Sequence, residues 1–411
     1  MKDFYDALET RDPAEREQDL IRKVSDQVSH ARTNTTAYAE ILAGVDPASI
    51  VSTKEIAALP VTRKSELMAL QKKNRPFGGF AAVSGPDLAY IFASPGPIYE
   101  PGSKRADFWR FARTLHAAGF RSGDLIQNCF SYHLTPAGAM LDGGAHALGC
   151  TVIPAGTGQS EQQVQTIGDL RPDGYVGTPS FLKIILEKAD EAGTDVSSLR
   201  KALVSGEALP PPLRDGFIER GIQTYQCYAT ADVGVIAYES DAREGLIVDE
   251  GIYLEIVRPG TGDPVAKGEV GEVLVTSLNP DYPLVRFATG DLSAILPGQS
   301  PCGRTNRRIK GWMGRADQTA KVRGMFIHPS QVDLVIRRHP EVVRARLVVD
   351  WVNEADNMTL QCETDAGSEA LAAALVDSIR DICKVRGEIE FTTPASLPND
   401  GKVIDDIRKY D

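Results

Sequence analysis

Between residues 108 and 238 the chain repeats one pattern five times, a helical segment followed by a short apolar one. Ala106–Ala118 precedes Asp124–Cys129, Pro136–Ala147 precedes Cys150–Pro154, and Glu161–Leu170 precedes Asp173–Thr178. Ser180–Ala192 then precedes Lys201–Ser205, and Pro212–Arg220 precedes Gln223–Tyr228. Strands separated by helices return in the same direction, because a helical crossover carries the chain back to its starting edge. The repeat therefore predicts an α/β fold with a parallel sheet flanked by helices. Such sheets hold ligands beyond the carboxyl ends of their strands. Ser205-Gly206-Glu207 and Tyr228-Ala-Thr-Ala-Asp232 fall there.

The flanks read differently. Residues 12 to 44 are helical in pattern, and Leu59-Pro-Val-Thr62-Arg-Lys-Ser-Glu66 carries a helix-start signature with Thr62 as N-cap. A Gly/Pro loop spans Pro76 to Pro86, and an apolar strand, Leu88–Ala93, runs into a turn over Ser94–Gly102. Beyond Ala237 the apolar residues alternate in Ile252–Val257, Gly271–Thr276 and Leu292–Leu296, which predicts an antiparallel β region. From Asp317 the pattern is mixed: helix Pro329–Arg338, strands Val342–Val349 and Thr359–Thr364, and helix Leu371–Cys383. At 411 residues the chain exceeds one ordinary core. We expect a large N-terminal domain over 1–316, with mostly parallel sheets flanked by helices plus the β region. A small mobile α+β domain is expected over 317–411.

Charge and cysteine usage narrow the partners. A formal net charge of −11 opposes binding to nucleic acid or an anionic membrane unless a local patch overrides it. Arg304-Thr-Asn-Arg307-Arg308-Ile-Lys310 is such a patch, either a solvated loop or a phosphate or CoA contact. Six scattered cysteines without a CxxC pair suit a reducing cytoplasm, and no sequence-local zinc site is expected. No apolar run reaches membrane-spanning length.

Several polar clusters carry chemistry. In Ser205-Gly206-Glu207 a glycine lets backbone approach a flat ring, and the flanking amides can read an adenine edge; a plain strand-to-loop turn is the alternative. In Gln226-Cys227-Tyr228-Ala229-Thr230-Ala-Asp232 the Tyr can stack on a base and the Thr hydroxyl can bond an α-phosphate. Asp232 can hold Mg²⁺ through oxygen, or the stretch is a strand end with Tyr228 in the core. In Arg286-Phe-Ala-Thr289-Gly290-Asp291 a carboxylate after a glycine turn can accept two ribose hydroxyls, or simply cap the turn. Gly314-Arg315-Ala-Asp317 stands where the small domain should begin; Arg315 can share the ribose and Asp317 can act as a hinge, unless this is an ordinary polar turn. Lys402, in a glycine-bearing loop near the end, can neutralise charge as a carboxylate and a phosphate react, although a terminal lysine is commonly just solvated.

In this order the clusters resemble the adenylate-forming superfamily of acyl- and aryl-CoA synthetases, and within it the phenylacetate-CoA ligase-like family. The resemblance runs from Leu59 to Asp405, and its most specific pieces are Cys302-Gly-Arg-Thr, Gly314-Arg-Ala-Asp and Arg323-Gly-Met-Phe-Ile-His-Pro-Ser-Gln-Val. It implies ATP, Mg²⁺ and coenzyme A as cofactors. Tyr228, Thr230 and Asp232 would serve adenine, phosphate and magnesium, and Asp291 with Arg315 the ribose. It makes Asp317 the hinge, Gly324 the pantetheine channel and Lys402 the adenylation lysine, and puts Tyr132, His133 and Ala229 at the acyl pocket. A homodimer is left open.

The resemblance implies an AMP-forming CoA ligase for an aryl or arylacetic acid, acting through an acyl-adenylate. Two departures matter. The family's phosphate loop is rich in Ser, Thr and Gly and ends in Gly-Lys, whereas Ser94-Pro-Gly-Pro-Ile-Tyr-Glu100-Pro-Gly102 stands here. Proline nitrogens cannot donate, and Glu100 is expected to repel phosphate; Lys104 and Arg105 follow as possible substitutes. Asp232 also replaces a longer Glu. The alternative expectation is a nucleotide- or acyl-adenylate-binding homologue, or a carrier-protein acyl transferase, with impaired ATP cleavage.

Overall fold

The computed structural model describes residues 3–94, 98–316, 318, 320–323, 325–352, 355–398, 400 and 402–408. Its frame is a nine-stranded sheet. The order across it is Ile295–Leu296, Arg308–Ile309, Leu246–Val248, Gly234–Glu239, Gln223–Thr230, Lys201–Val204, Gly174–Gly177, Leu125–Asn128, Thr151–Pro154. The last five are mutually parallel, as the helix–strand repeat predicts. Gly174–Gly177 is buried throughout, as a parallel strand covered on both faces must be.

The chain leaves Leu125–Asn128 toward one edge, to Thr151–Pro154, then reverses and winds the other way through Gly174–Gly177. The gap between Leu125–Asn128 and Gly174–Gly177 is thus a topological switch point, where an open α/β sheet leaves a crevice for ligand. Right-handed crossovers in opposite directions send helices to opposite faces. Ala137–Leu148 packs with Phe111–Ala117, whereas Ser160–Leu170 packs with Pro179–Ala192. The latter pair encloses Val164, Ile167, Leu182, Ile185, Tyr175 and Ala202.

Two sequence expectations change. Gly234–Glu239 and Leu246–Val248 extend the main sheet in antiparallel fashion instead of ending it. Thr62 is not an N-cap: it pairs with Phe287 as a two-residue parallel strand, and its hydroxyl meets the Tyr38 hydroxyl at 3.0 Å. The helix after it, Lys64–Lys73, has no side-chain cap. Thr62–Arg63 also begins a second sheet, ordered Thr62–Arg63, Phe287–Ser293, Gly271–Ser277, Ile252–Val257.

The chain folds as two compact units. One comprises Met1–Ile256, Val273–Thr289 and Ala294–Trp312, the other Val257–Glu272, Gly290–Ser293 and Met313–Asp411. In the second, a four-stranded sheet runs Glu388–Thr392, Ala355–Glu363, Arg344–Val352, Ile404–Asp406. Helices Pro329–Arg337 and Glu369–Cys383 pack together, and Val332, Val335, Leu347, Leu360, Leu375 and Ile379 form its core. Among the described residues no helix is long and apolar enough to cross a membrane.

Candidate active site

The carboxyl edge of the main sheet gathers several of the expected residues in the first unit. Gly206 follows Lys201–Val204 with φ +82, and a Cβ there would meet nothing closer than Thr178 Cγ2 at 3.8 Å. The exposed backbone is therefore open to a flat ring. Ser205 Oγ donates to the Cys227 carbonyl at 2.8 Å, tying the two strand ends together. Glu207 accepts from the Ser180 amide at 3.3 Å.

Along Gln223–Thr230, Gln226 turns onto Glu239, to which its backbone amide donates at 3.1 Å. Cys227 is buried, and burial pushes its thiol up to about 12, so it is a packing residue with no nucleophilic character. Tyr228 is buried as well, its hydroxyl donating to Thr289 Oγ1 at 3.2 Å. A bulge lies between Tyr228 and Ala229. Thr230 ends the strand, and its Oγ1 accepts from the Val233 amide at 3.2 Å while giving its own proton to no described residue. That proton is available to a phosphate oxygen.

Asp232 lies in the turn that follows. Its side chain has no exposed surface, and one oxygen accepts from Lys64 Nζ at 2.5 Å. The other, Oδ1, is buried without a hydrogen-bond partner among the described residues. A hard, open carboxylate oxygen fits Mg²⁺, which commonly takes one or two carboxylates and completes its shell with substrate phosphates and water. Among the described residues no cluster of three or more His, Cys, Asp or Glu offers a fuller cage.

The altered loop behaves unlike its sequence. Leu88–Ser94 and Ile98–Ser103 are paired antiparallel strands, with Ser94 opposite Ile98. Residues 95–97 lie outside those described. Glu100 is 1% exposed; one carboxyl oxygen accepts from Ser94 Oγ at 2.5 Å and the other from the Ser94 amide at 3.2 Å. Burial first, then the Asp232 charge, pushes this carboxyl up to about 8, against the pull of Ser94 and Lys64. Near neutral pH Glu100 is predominantly neutral, so the expected charge repulsion toward phosphate largely disappears. Tyr282 adjoins the same carboxyls; its buried hydroxyl has no partner among the described residues and is held well above its usual range. Lys104 and Arg105 do not stand in for the lost loop lysine: Lys104 donates to the Pro86 carbonyl, and Arg105 pairs with Asp281 at 2.9 Å.

Arg304 corrects another expectation. It is buried, bonded to Glu9 at 2.7 Å, and lies over the rings of Phe4 and Tyr238. Arg307 and Arg308 meet Glu17 and Glu244 at 2.9 and 3.0 Å. The basic run is a set of structural ion pairs, and its arginine charge is already matched.

Tyr132 lies beyond Leu125–Asn128, its hydroxyl donating to Asp142 at 2.7 Å. His133 is exposed, and its backbone amide donates to Ser131 Oγ.

In the second unit Asp291 and Arg315 form an antiparallel bridge, with Nη1 to Oδ1 at 3.1 Å. Leu292 N to Gly314 O and Ala316 N to Gly290 O, at 2.9 and 2.7 Å, hold the two segments in register. Gly290 has φ +77, and a Cβ on it would lie 2.8 Å from an Arg315 nitrogen. The positive φ favours glycine at this turn, and a Cβ would also push the guanidinium tip aside. Lys402 precedes Ile404–Asp406, its Nζ bonded to Asp405 at 2.6 Å and its side chain 40% exposed. Asp317 and Gly324 lie outside the described residues.

Lys64, Glu100 as a buried acid, and Asp142 are the residues that sequence reasoning missed. Lys64 stands 168 residues from Asp232, and nothing local links them. Asp142 did leave a trace, as the one acid in a helix that is otherwise small and apolar apart from His146, AGAMLDGGAHAL.

Comparison with known proteins gives this geometry its context. The AMP-binding enzyme family matches residues 133–279. Phenylacetate-coenzyme A ligase of Aromatoleum evansii is 30% identical, over 90% of this chain and 88% of its own length. The Escherichia coli enzyme of that name is 33% identical over 89% and 86%, and that of Thermus thermophilus 32% over 84% and 82%. Among solved structures, an open conformation of 2-hydroxyisobutyryl-CoA ligase, in complex with 2-HIB-AMP and CoA, matches with a TM-score of 0.72 at 25% identity. The match covers 95% of this chain and 90% of that one. Likeness sustained along most of both sequences makes this chain a member of the phenylacetate-CoA ligase family of adenylate-forming acid–thiol ligases.

Proposed function

We propose that this ligase joins an aryl or arylacetic acid to coenzyme A through an acyl-adenylate. In the first half-reaction a carboxylate oxygen attacks the α-phosphorus of ATP, and the bond to pyrophosphate breaks. In the second, the CoA sulfur attacks the acyl carbon, and AMP departs with the electron pair of the acyl–oxygen bond. No protein nucleophile is required, so positioning and charge stabilisation carry the rate. The observation that supports this reading most strongly is the end of Gln223–Thr230. Thr230 keeps a hydroxyl proton to offer, and two residues on Asp232 keeps a buried oxygen open.

The roles divide between the units. In the first, the backbone around Gly206 receives the adenine, Tyr228 borders it, and Thr230 donates to the α-phosphate. Asp232 would hold Mg²⁺, which when bound neutralises phosphate charge. Lys64, paired with Asp232 at 2.5 Å, brings a positive charge of the chain's own to the same place, to face the pyrophosphate. In the second, Asp291 accepts the ribose hydroxyls with Arg315 beside it, and Lys402 brings positive charge to the reacting carboxylate and phosphate. We place the reaction in the cytoplasm, where ATP and CoA are at hand.

Separated half-reactions test this. Lys402→Ala should lower pyrophosphate release by about 10²–10³-fold while largely sparing thioester formation from supplied acyl-adenylate. Equal loss of both would remove Lys402 from this role. Absence of pyrophosphate release by the unaltered protein with any aryl or alkyl acid, together with calorimetric AMP binding, would favour a homologue that binds nucleotide without cleaving ATP.

A further inference from the structure

At the switch point of the main sheet a carboxylate stands half-satisfied. Asp142 lies in Ala137–Leu148, and two neutral donors converge on its Oδ1: Asn128 Nδ2 at 2.9 Å and the Tyr132 hydroxyl at 2.7 Å. Asn128 is the last residue of Leu125–Asn128 and also donates to the Gly138 carbonyl at 2.9 Å, so it clamps the strand end to the helix. The second oxygen of Asp142 accepts from no described residue, and no described cation lies within ion-pair distance. Carboxylates of the same intermediate exposure in this unit such as Asp19, Asp124 and Glu255 meet a cation, Arg11, Lys201 and Arg286 respectively. Asp142 is intermediate in exposure, so its open oxygen is neither sealed in nor freely bathed.

A half-buried carboxylate without a counter-charge is costly unless something supplies hydrogen bonds to it. Here Asn128 and Tyr132 fix its plane and leave one oxygen over. The Tyr132 phenol, held above its usual range by burial and then by Asp142, keeps its proton and stays a donor. The site lies at the carboxyl edge of the strand bordering the crevice, on the same edge as Thr230 and Gly206.

We propose that Asp142 selects the acid: its open carboxylate oxygen receives a hydrogen-bond donor, a hydroxyl or an ammonium, carried on the substrate away from the reacting carboxyl. The inference rests on the ligase reading above and narrows its substrate class to hydroxy- or amino-substituted aryl and arylacetic acids. A purely orienting role for Asp142 toward Tyr132 predicts something different, because asparagine keeps the accepting oxygen and loses only the charge.

The test uses binding as well as turnover, so that its outcome is separable from that of the ligase reading. Calorimetry in the presence of AMP compares hydroxyphenylacetate and aminophenylacetate isomers with phenylacetate, on the full chain and on Asp142→Asn. The unaltered protein should prefer at least one donor-bearing acid. Asp142→Asn should cut that preference by about 10–100-fold, the range that a hydrogen bond to a charged group supplies. Equal preference in both proteins, or no preference for any donor-bearing isomer in the unaltered one, overturns the proposal. Tyr132→Phe leaves the carboxylate in place and should keep the preference. Loss of preference in Tyr132→Phe with retention in Asp142→Asn would assign discrimination to the phenol and likewise overturn it. Pyrophosphate release measured on the same samples reports on the ligase reading independently.

Discussion

Replacing Glu100 by glutamine removes one proton-binding site from the core while preserving shape, and its effect on stability can be worked out with sign. Glu100 is 1% exposed, and its carboxyl is pushed from the ordinary 4.5 up to about 8, by burial first and then by Asp232. The groups facing it are Ser94, Lys64, Asp232 and Tyr282. Below pH 4.5 both folded and unfolded chains carry the proton, and the group is neutral in the balance. Between about 4.5 and 8 the unfolded chain has lost the proton and the folded one retains it, so stability falls as pH rises. Each pH unit in that window costs about 1.4 kcal/mol, which sums to about 3 kcal/mol at pH 7 and about 5 kcal/mol above both values. Glu100→Gln has no such dependence. Urea denaturation of both proteins from pH 5 to 9 should show the wild-type stability falling relative to the variant across that window, with the difference levelling off above pH 8. Parallel curves would refute the reasoning. A variant whose disadvantage grows with pH would show instead that Glu100 is ionised and held by Lys64.

Two further substitutions test other parts of the argument. Lys64→Ala strands the fully buried Asp232 carboxylate and should cost about 3 kcal/mol; millimolar Mg²⁺ should restore part of the loss, and should restore none in the double variant Lys64→Ala, Asp232→Asn, as read by thermal denaturation. Arg304→Ala breaks the buried pair with Glu9 and should cost about 3–5 kcal/mol, while KM for ATP and for CoA stays unchanged in the folded enzyme; a raised KM for either would return Arg304 to the site.

The two carboxylates that sequence reasoning handled least well show where its reach ends. The five parallel strands were legible because alternating helical and apolar segments are a local signal. Asp291 and Arg315 stood out in the sequence as two separate polar turns beside glycines, and only the family resemblance paired them; the bridge that joins them was not legible. Thr62 misled because its local helix-start pattern was overridden by pairing with Phe287 and by the Tyr38 hydroxyl. The Arg304–Glu9 pair joins residues 295 apart, so a basic run that looked available for phosphate is spent on structural carboxylates. Glu100 misled for a subtler reason: a formal charge written in the sequence presumes a solvated carboxyl, and burial beside Asp232 removes that premise. Asp142 is the converse. Its neighbours hold one oxygen and leave the other open, so it keeps an unmet demand for a donor at the edge where the sheet binds ligand. Identical side-chain chemistry thus leads to a closed, largely neutral strand of the altered loop in one place and to an open acceptor in the other. What separates the two is burial and how the donors are shared: Ser94 gives one to each oxygen of the buried Glu100, whereas Asn128 and Tyr132 both give to one oxygen of the half-buried Asp142.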